Sequence, residues 1–246
     1  MRLNRFLARA GVASRRASDA LIQAGLVRVN GAVALHPGMV VDAATDAVEC
    51  RGRPVRLPSA CEYIVFHKPA GCLVTRRDQR GRRTIYEYFA GLHPGTVAVG
   101  RLDQDTTGLL LLTDDGELAF RLMHPRYAVE KEYEATVDGV PAEPALERLR
   151  QGVELEDGWT APAAVRLLGV EASSGRPQAV VLLGIHEGRK RQVRRMLRAV
   201  GHPVRRLHRR AFGGLALDLE EPGTWRRLAP PEIAALRSRV GLPAQE

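Results

Sequence analysis

The sequence of 246 residues lacks any apolar run near the roughly 20 residues that a membrane-spanning helix requires. Its longest, Ala179 to Ile185, has the length of a strand. The N-terminus carries arginines but no apolar segment and no small-residue cleavage site of a secretory signal, so a cytoplasmic protein is expected. Cysteine is scarce: Cys50, Cys61 and Cys72 are odd in number and lack the close pairing of a zinc or redox motif, which reads as reduced and structural. The seven histidines are scattered. A P-loop, a dinucleotide fingerprint and a Ser or Cys nucleophile triad are all missing, so no metal, no nucleotide and no other cofactor is expected.

Acidic residues are missing where basic ones are dense. Residues 1 to 31 hold six arginines (Arg2, Arg5, Arg9, Arg15, Arg16 and Arg28) against Asp19 alone, and residues 189 to 210 hold ten Lys or Arg and no acid. Removing these 16 cations and one anion from the chain's 37 and 28 leaves 21 against 27, a net of −6 in a protein whose total is +9. Two basic surfaces on an acidic body indicate a polyanionic partner, and without a membrane segment that partner is nucleic acid.

The chain is organised around Gly100 to Gly116, GRLDQDTTGLLLLTDDG. Leu109 to Leu112 are too few for a helix face and are closed by Thr113 and Asp114-Asp115-Gly116, which predicts a strand buried on both faces. The loop before it sets Arg101, Leu102 and Asp103 side by side. Asp103 has three readings: a turn-capping aspartate, the first ligand of a calcium loop, or a catalytic carboxylate. The calcium loop fails, because its second half is leucine and a strand is expected at Val97 to Val99.

Leu3, Phe6, Leu7 and Ala10 have helical spacing up to Gly11; Ser14 can cap a second helix that ends at Gly25; Val27 and Val29 lead to the hairpin signal Asn30-Gly31. Residues 51 to 60, RGRPVRLPSA, read as a linker. Ile64 to Phe66 start a strand that stops at Lys68-Pro69-Ala70-Gly71. On the strand around Tyr133, residues Val129, Lys131, Tyr133, Ala135 and Val137 share a face, so Tyr133 points into the core or into a cleft in it. Further strands are expected at Ala163 to Leu168 and Ala179 to Ile185, with a turn at Ser173-Ser174-Gly175 between them. In EGRKRQVRRMLRAVGHP the helical arc Val193, Met196, Leu197 and Val200 is apolar, and Arg191, Arg195 and Arg198 lie on the far side, suited to phosphates. Arg194 borders the apolar arc, where a partly buried guanidinium needs a carboxylate partner.

The first 31 residues, with Arg15-Arg16 spaced from Val29-Asn30-Gly31, resemble the small helix-helix-hairpin RNA-binding domain first described in a ribosomal small-subunit protein. Four stretches in order, the arginine-rich N-terminal unit, Lys68-Pro69-Ala70-Gly71, GRLDQDTTGLLLLTDDG and EGRKRQVRRM, make the whole chain resemble the RNA pseudouridine synthases, in particular the ribosomal-RNA branch of RsuA/RluB type. The resemblance implies an α+β fold: a catalytic domain on a mixed, largely antiparallel sheet at residues 61–232, after a small RNA-binding domain at 1–50 and before a C-terminal tail at 233–246. It implies that Asp103 is the catalytic carboxylate, Arg101 helps displace the base, Tyr133 stacks on the uracil and Arg194 pairs with Asp103. RNA contacts are expected from Arg2, Arg5, Arg15, Arg16, Arg28, Lys68, Arg189, Lys190, Arg191, Arg195 and Arg198. Asp114 and Arg191 depart from the commoner asparagine and histidine of that family. The implied reaction is uridine to pseudouridine in ribosomal RNA, by a monomer, with the large subunit favoured by the last motif. Small-subunit rRNA and a non-catalytic binding or ribosome-assembly factor are the rival readings.

Overall fold

A computed structural model describes residues 1–173 and 176–244; the turn expected at Ser173-Ser174-Gly175 falls partly outside them. The N-terminal unit follows its sequence signals closely. Helix α1 (Leu3–Arg9) ends at Gly11, and α2 (Arg15–Gln23) is capped by Ser14, whose Oγ accepts from the Ala17 N–H at 3.2 Å. Strands β1 (Val27–Val29) and β2 (Ala32–Val33) form a hairpin through Asn30 and Gly31, both at positive φ, as a tight primed turn requires. β3 (Val48–Cys50) and β4 (Arg53–Val55) complete a sheet of order β2-β1-β3-β4. Leu3, Phe6, Leu7, Ile22, Val27 and Val29 are the centre of this unit's own core. The expected linker is therefore shorter than 51–60, because Arg53–Val55 pairs with β3.

The second unit contains β5 (Tyr63–Lys68), β6 (Val97–Ala98), β7 (Thr106–Thr113), α3 (Gly116–Met123), β8 (Lys131–Asp138), α4 (Glu143–Gln151), β9 (Glu154–Leu155) and β10 (Gly158–Trp159). It continues through β11 (Ala164–Ser173), β12 (Arg176–Ile185), α5 (Gln192–Ala199), β13 (Val204–Phe212), β14 (Leu215–Ala216), β15 (Trp225–Arg227) and α6 (Pro230–Arg239). Its main sheet runs β11-β12-β8-β13-β7-β5-β15, with β14 on β13 and β6 on β7. Only the β13–β7 pairing is parallel among the described strands, so the sheet is mixed and largely antiparallel.

Strand β7 lies at the centre, and all four of its leucines are sealed from solvent. Leu109 and Leu111 enter a core with Val65, Leu118 and Leu122, while Leu110 and Leu112 enter one with Ile64, Phe66 and Leu102 on the opposite face. Burying a leucine contributes roughly 1.5–3 kcal/mol, so this strand is the firmest support for whatever its ends carry. At Gly108 the parallel neighbour comes so close that a Cβ would lie 2.3 Å from the Arg209 carbonyl oxygen, which only glycine permits. The C-terminal segment is not a tail. Leu236 and Val240 are buried in the first of those cores, and Arg237 pairs with Asp115 at 2.6 Å.

Candidate active site

The loop from Gly100 to Asp105 joins β6 to β7, and its shape is fixed from below by Lys68. This lysine is 0% exposed, and its Nζ donates to the carbonyls of Pro69 (2.9 Å), Gln104 (3.3 Å) and Thr106 (2.9 Å). Three N–H donors thus meet three carbonyls, which is what an ammonium taken out of water requires. Burial pushes its pKa down, opposed by Cys72, Asp105 and Asp103. Lys68 is therefore no RNA contact; it fastens the Lys68–Gly71 turn to the loop that carries Asp103. A backbone bond from Gly71 N–H to Gln104 O at 2.8 Å makes the same connection.

Asp103 lines a pocket with Arg101, Leu102, Tyr133, Ile185, Val193 and Leu207, at the end of a wider cleft of about 960 Å³. Its carboxylate is 32% exposed. Tyr133 reaches the pocket because β8 alternates: Ala135 and Val137, on the same face, are buried beneath it. The pocket thus sets one carboxylate and one aromatic ring among aliphatic and polar side chains, a chemistry suited to a nucleobase with its sugar at the carboxylate.

The charges around Asp103 alternate along a chain of four groups. Asp103 Oδ2 faces Arg191 Nη1 at 3.5 Å, the same nitrogen lies 3.3 Å from Asp105 Oδ1, and Arg194 Nη2 lies 3.0 Å from Asp105 Oδ2. The ion pair expected between Arg194 and Asp103 is thus corrected: Arg194 takes Asp105, and Arg191 takes Asp103. The reason is local. Arg191 stands at φ 51°, in the left-handed region, so α5 begins one residue later and Arg191, still exposed, reaches Asp103 and Asp105 of the loop. Arg194, with 10% side-chain exposure, also donates to the carbonyls of Asp105 and Val204, both at 3.4 Å. Burial lowers the pKa of Arg194, while Asp105 and, more weakly, Asp103 act to raise it. Burial also works against charge on Asp105, but the Arg191 hydrogen bond and both guanidinium charges hold its carboxyl below the usual range.

Asp105 was passed over as a site residue in the sequence. Its signal was there: Asp103-x-Asp105 matched against Arg191 and Arg194. The basic wall beside it divides into engaged and free cations. Arg189 donates to Asp157 and to the Gly158 and Trp159 carbonyls, and Arg195 pairs with Asp157, so both pin the β9–β10 hairpin to α5. The side chains of Lys190, Arg198 and Arg101 are exposed and have no hydrogen bond or ion pair among the described residues. In the N-terminal unit Arg15, Arg16 and Arg2 are exposed, Arg28 donates to its own turn at Gly31, and Arg5 faces Glu117 of the second unit at 3.5 Å. The wider cleft is also lined by Leu73, Val74, Thr75, Arg77, Asp78 and Arg82, from a loop folded around Asp78, which accepts from the N–H groups of Arg80 and Arg82. Among the described residues no group of three His, Cys, Asp or Glu side chains is placed to hold a metal ion.

A carboxylate and an aromatic ring that line one pocket, with the exposed Arg101 beside them, suit an enzyme that acts on one nucleotide of a polynucleotide. The chain belongs to the RNA pseudouridylate synthase family, whose sequence pattern matches residues 62–199, and an S4 domain matches residues 1–48. It is 44% identical over 244 residues to an RNA pseudouridine synthase of Aquifex aeolicus, covering 98% of this chain and 96% of the relative. It is 41% identical to the ribosomal large subunit pseudouridine synthase B of Bacillus subtilis, covering 96% of each. A crystal structure of a pseudouridylate synthase superposes with a TM-score of 0.68 at 32% identity, covering 96% of this chain and 99% of that one.

Proposed function

We propose that this synthase isomerises a uridine of large-subunit ribosomal RNA, with Asp103 as the catalytic carboxylate. The placement of Asp103 and Tyr133 in one pocket with the aliphatic Leu102, Ile185, Val193 and Leu207 supports this reading. The uridine leaves the stack and enters the pocket, where the Tyr133 ring covers one face of the uracil. The carboxylate acts on the ribose by attack at C1′ or by taking the C2′ proton. In the first route a bond from the carboxylate to C1′ forms as C1′–N1 breaks, and is itself broken when C5 joins C1′; in the second, loss of the C2′ proton expels N1 and leaves a C1′–C2′ double bond, and the carboxylate returns the proton to C2′ as C5 joins C1′. Either way the freed uracil turns, C5 loses its proton and N1 gains one. Reactant and product have the same composition and oxidation state, so no cofactor is called for. Arg101, exposed at the pocket mouth, takes the space the base vacates in the helix.

Arg15, Arg16, Lys190 and Arg198, lacking internal partners, supply the phosphate contacts. The same reading takes the protein to be cytoplasmic and monomeric. A non-catalytic binder would have no use for a sealed Lys68 and four alternating charges that hold one carboxylate in place. The test is to map pseudouridine chemically in rRNA from cells with and without this protein. Loss of one large-subunit position is expected; a loss confined to small-subunit rRNA, or no change, overturns the reading.

A further inference from the structure

Lys131 and Arg209 stand next to the pocket and have no part in the chemistry above. Lys131 is two residues from Tyr133 on the same face of β8, and Arg209 is directly opposite Tyr133 in the β13–β8 register. Both line the floor of the wider cleft. We propose that Lys131 and Arg209 form a clamp for an RNA backbone phosphate next to the target uridine, a role that rests on the pseudouridine synthase reading of the cleft.

The Arg209 side chain is built in and incompletely used. The residue is 3% exposed; its Nε donates to Leu109 O at 2.7 Å, and its guanidinium carbon lies 5.1 Å from the centre of the Phe212 ring. Its Nη2 is sealed from solvent with no hydrogen-bond partner, and no carboxylate lies within ion-pair distance of it among the described residues. An unmet guanidinium donor in such a position costs about 1–3 kcal/mol unless a ligand meets it. Among the described residues the Lys131 ammonium donates to His186 O alone, at 3.2 Å. Burial and then the Arg209 charge disfavour its ammonium; the acid that favours it, Glu187, already accepts from Arg189, Gln192 and Ala161.

Two cations therefore sit together without an anion of their own. A uracil carbonyl would not suit them, because its charge is partial and the base is claimed by Tyr133, Ile185, Val193 and Leu207. A phosphodiester brings a full negative charge and two free oxygens, enough for an ammonium and a guanidinium together. Held there, the backbone on one side of the flipped nucleotide would be fixed while its base enters the pocket.

The test is binding of an in vitro transcript of large-subunit rRNA across a salt series, followed by single-turnover rates. Binding is read whether or not turnover occurs, so the clamp and the enzymatic reading fail separately. Lys131→Gln should weaken binding roughly three- to tenfold and lower the slope of log affinity against log salt by about 0.7, one single-strand phosphate contact. In turnover the loss should fall on the half-saturating RNA concentration more than on the rate at saturation. Arg209→Lys keeps the charge and should keep most of the slope, whereas Arg209→Gln should lose it; if the latter does not fold, Lys131→Gln decides alone. An unchanged salt slope in folded Lys131→Gln, or a lower saturating rate at unchanged affinity, overturns the clamp.

Discussion

At the scale of single residues, Asp103 and Asp114 are carboxylates with opposite consequences. If Asp103 is, as proposed, the carboxylate that acts on the sugar and holds no phosphate, Asp103→Asn should lower the single-turnover rate by at least about a thousandfold while RNA affinity stays within a few-fold. Residual turnover above about one percent would remove Asp103 from its role. Asp114 sits behind β7, its side chain fully buried, with Oδ1 accepting from the Glu62 N–H at 2.7 Å and Oδ2 without a hydrogen bond. Burial raises its pKa above 3.8; the Glu62 N–H and, further off, Arg9 and His93 only partly offset this. Between 3.8 and that raised value the folded chain keeps a proton that the unfolded chain has released, so stability falls as pH rises through the window. Asp114→Asn keeps the acceptor for Glu62 and removes the buried charge. It should raise stability at neutral pH by about 1 kcal/mol and flatten this pH dependence, as measured by denaturant unfolding between pH 4 and 7. Equal or lower stability would mean that the charge is compensated. Asp103 stands out in the sequence because its neighbours are distinctive. Lys68 could not be placed correctly, because a lysine beside a Pro-Ala-Gly turn reads as exposed until three carbonyls are seen to converge on it.

At the scale of elements, α5 and the loop before it divide four arginines by task. Arg194→Ala would free Asp105, and with it Arg191 and the position of Asp103, so turnover on bound RNA should fall about a hundredfold, the penalty of a small misplacement at the reacting atoms. Arg195→Ala should cost little in affinity or salt slope, because its charge is spent on Asp157 in the hairpin, whereas Arg198→Ala should lower the slope by about 0.7 to 0.9. Single-turnover rates and salt series on the three variants check this; a turnover defect in Arg195→Ala as large as in Arg194→Ala would refute the division. Periodicity found β7 and the apolar arc of α5 because burial imposes a repeat on the sequence. It missed the left-handed Arg191, since a residue at φ 51° leaves the helical pattern of side chains intact while redirecting the backbone. It also undervalued α6, where Leu236 and Val240 are the buried residues and the charged ones hide that contact.

At the scale of the whole molecule, the N-terminal unit has its own core and meets the second unit at few points: Arg5 with Glu117, Arg9 with Cys61 at 3.1 Å, and Gly95 against the Arg9 carbonyl. A cut after residue 60, which keeps β4 with its sheet, should leave the second unit folded and able to modify a high concentration of RNA. Affinity for rRNA should drop, with a shallower salt dependence from the loss of Arg15 and Arg16; an unchanged slope would show that these arginines do not touch RNA. The division into a basic N-terminal unit and a strand-rich body was legible in charge and turn residues, while the few contacts between them were not, since Arg5, Arg9 and Gly95 carry no local signal. The burial of Lys68 extends to chemical reactivity. The sequence has only three lysines, Lys68, Lys131 and Lys190, and all three lie at the cleft: one sealed under its loop, one half-buried on its floor and one exposed on its rim. An amine-reactive acylating reagent would therefore label the cleft almost alone among side chains, Lys190 first and Lys131 later, and the moment Lys68 is labelled would mark the opening of the loop that carries Asp103.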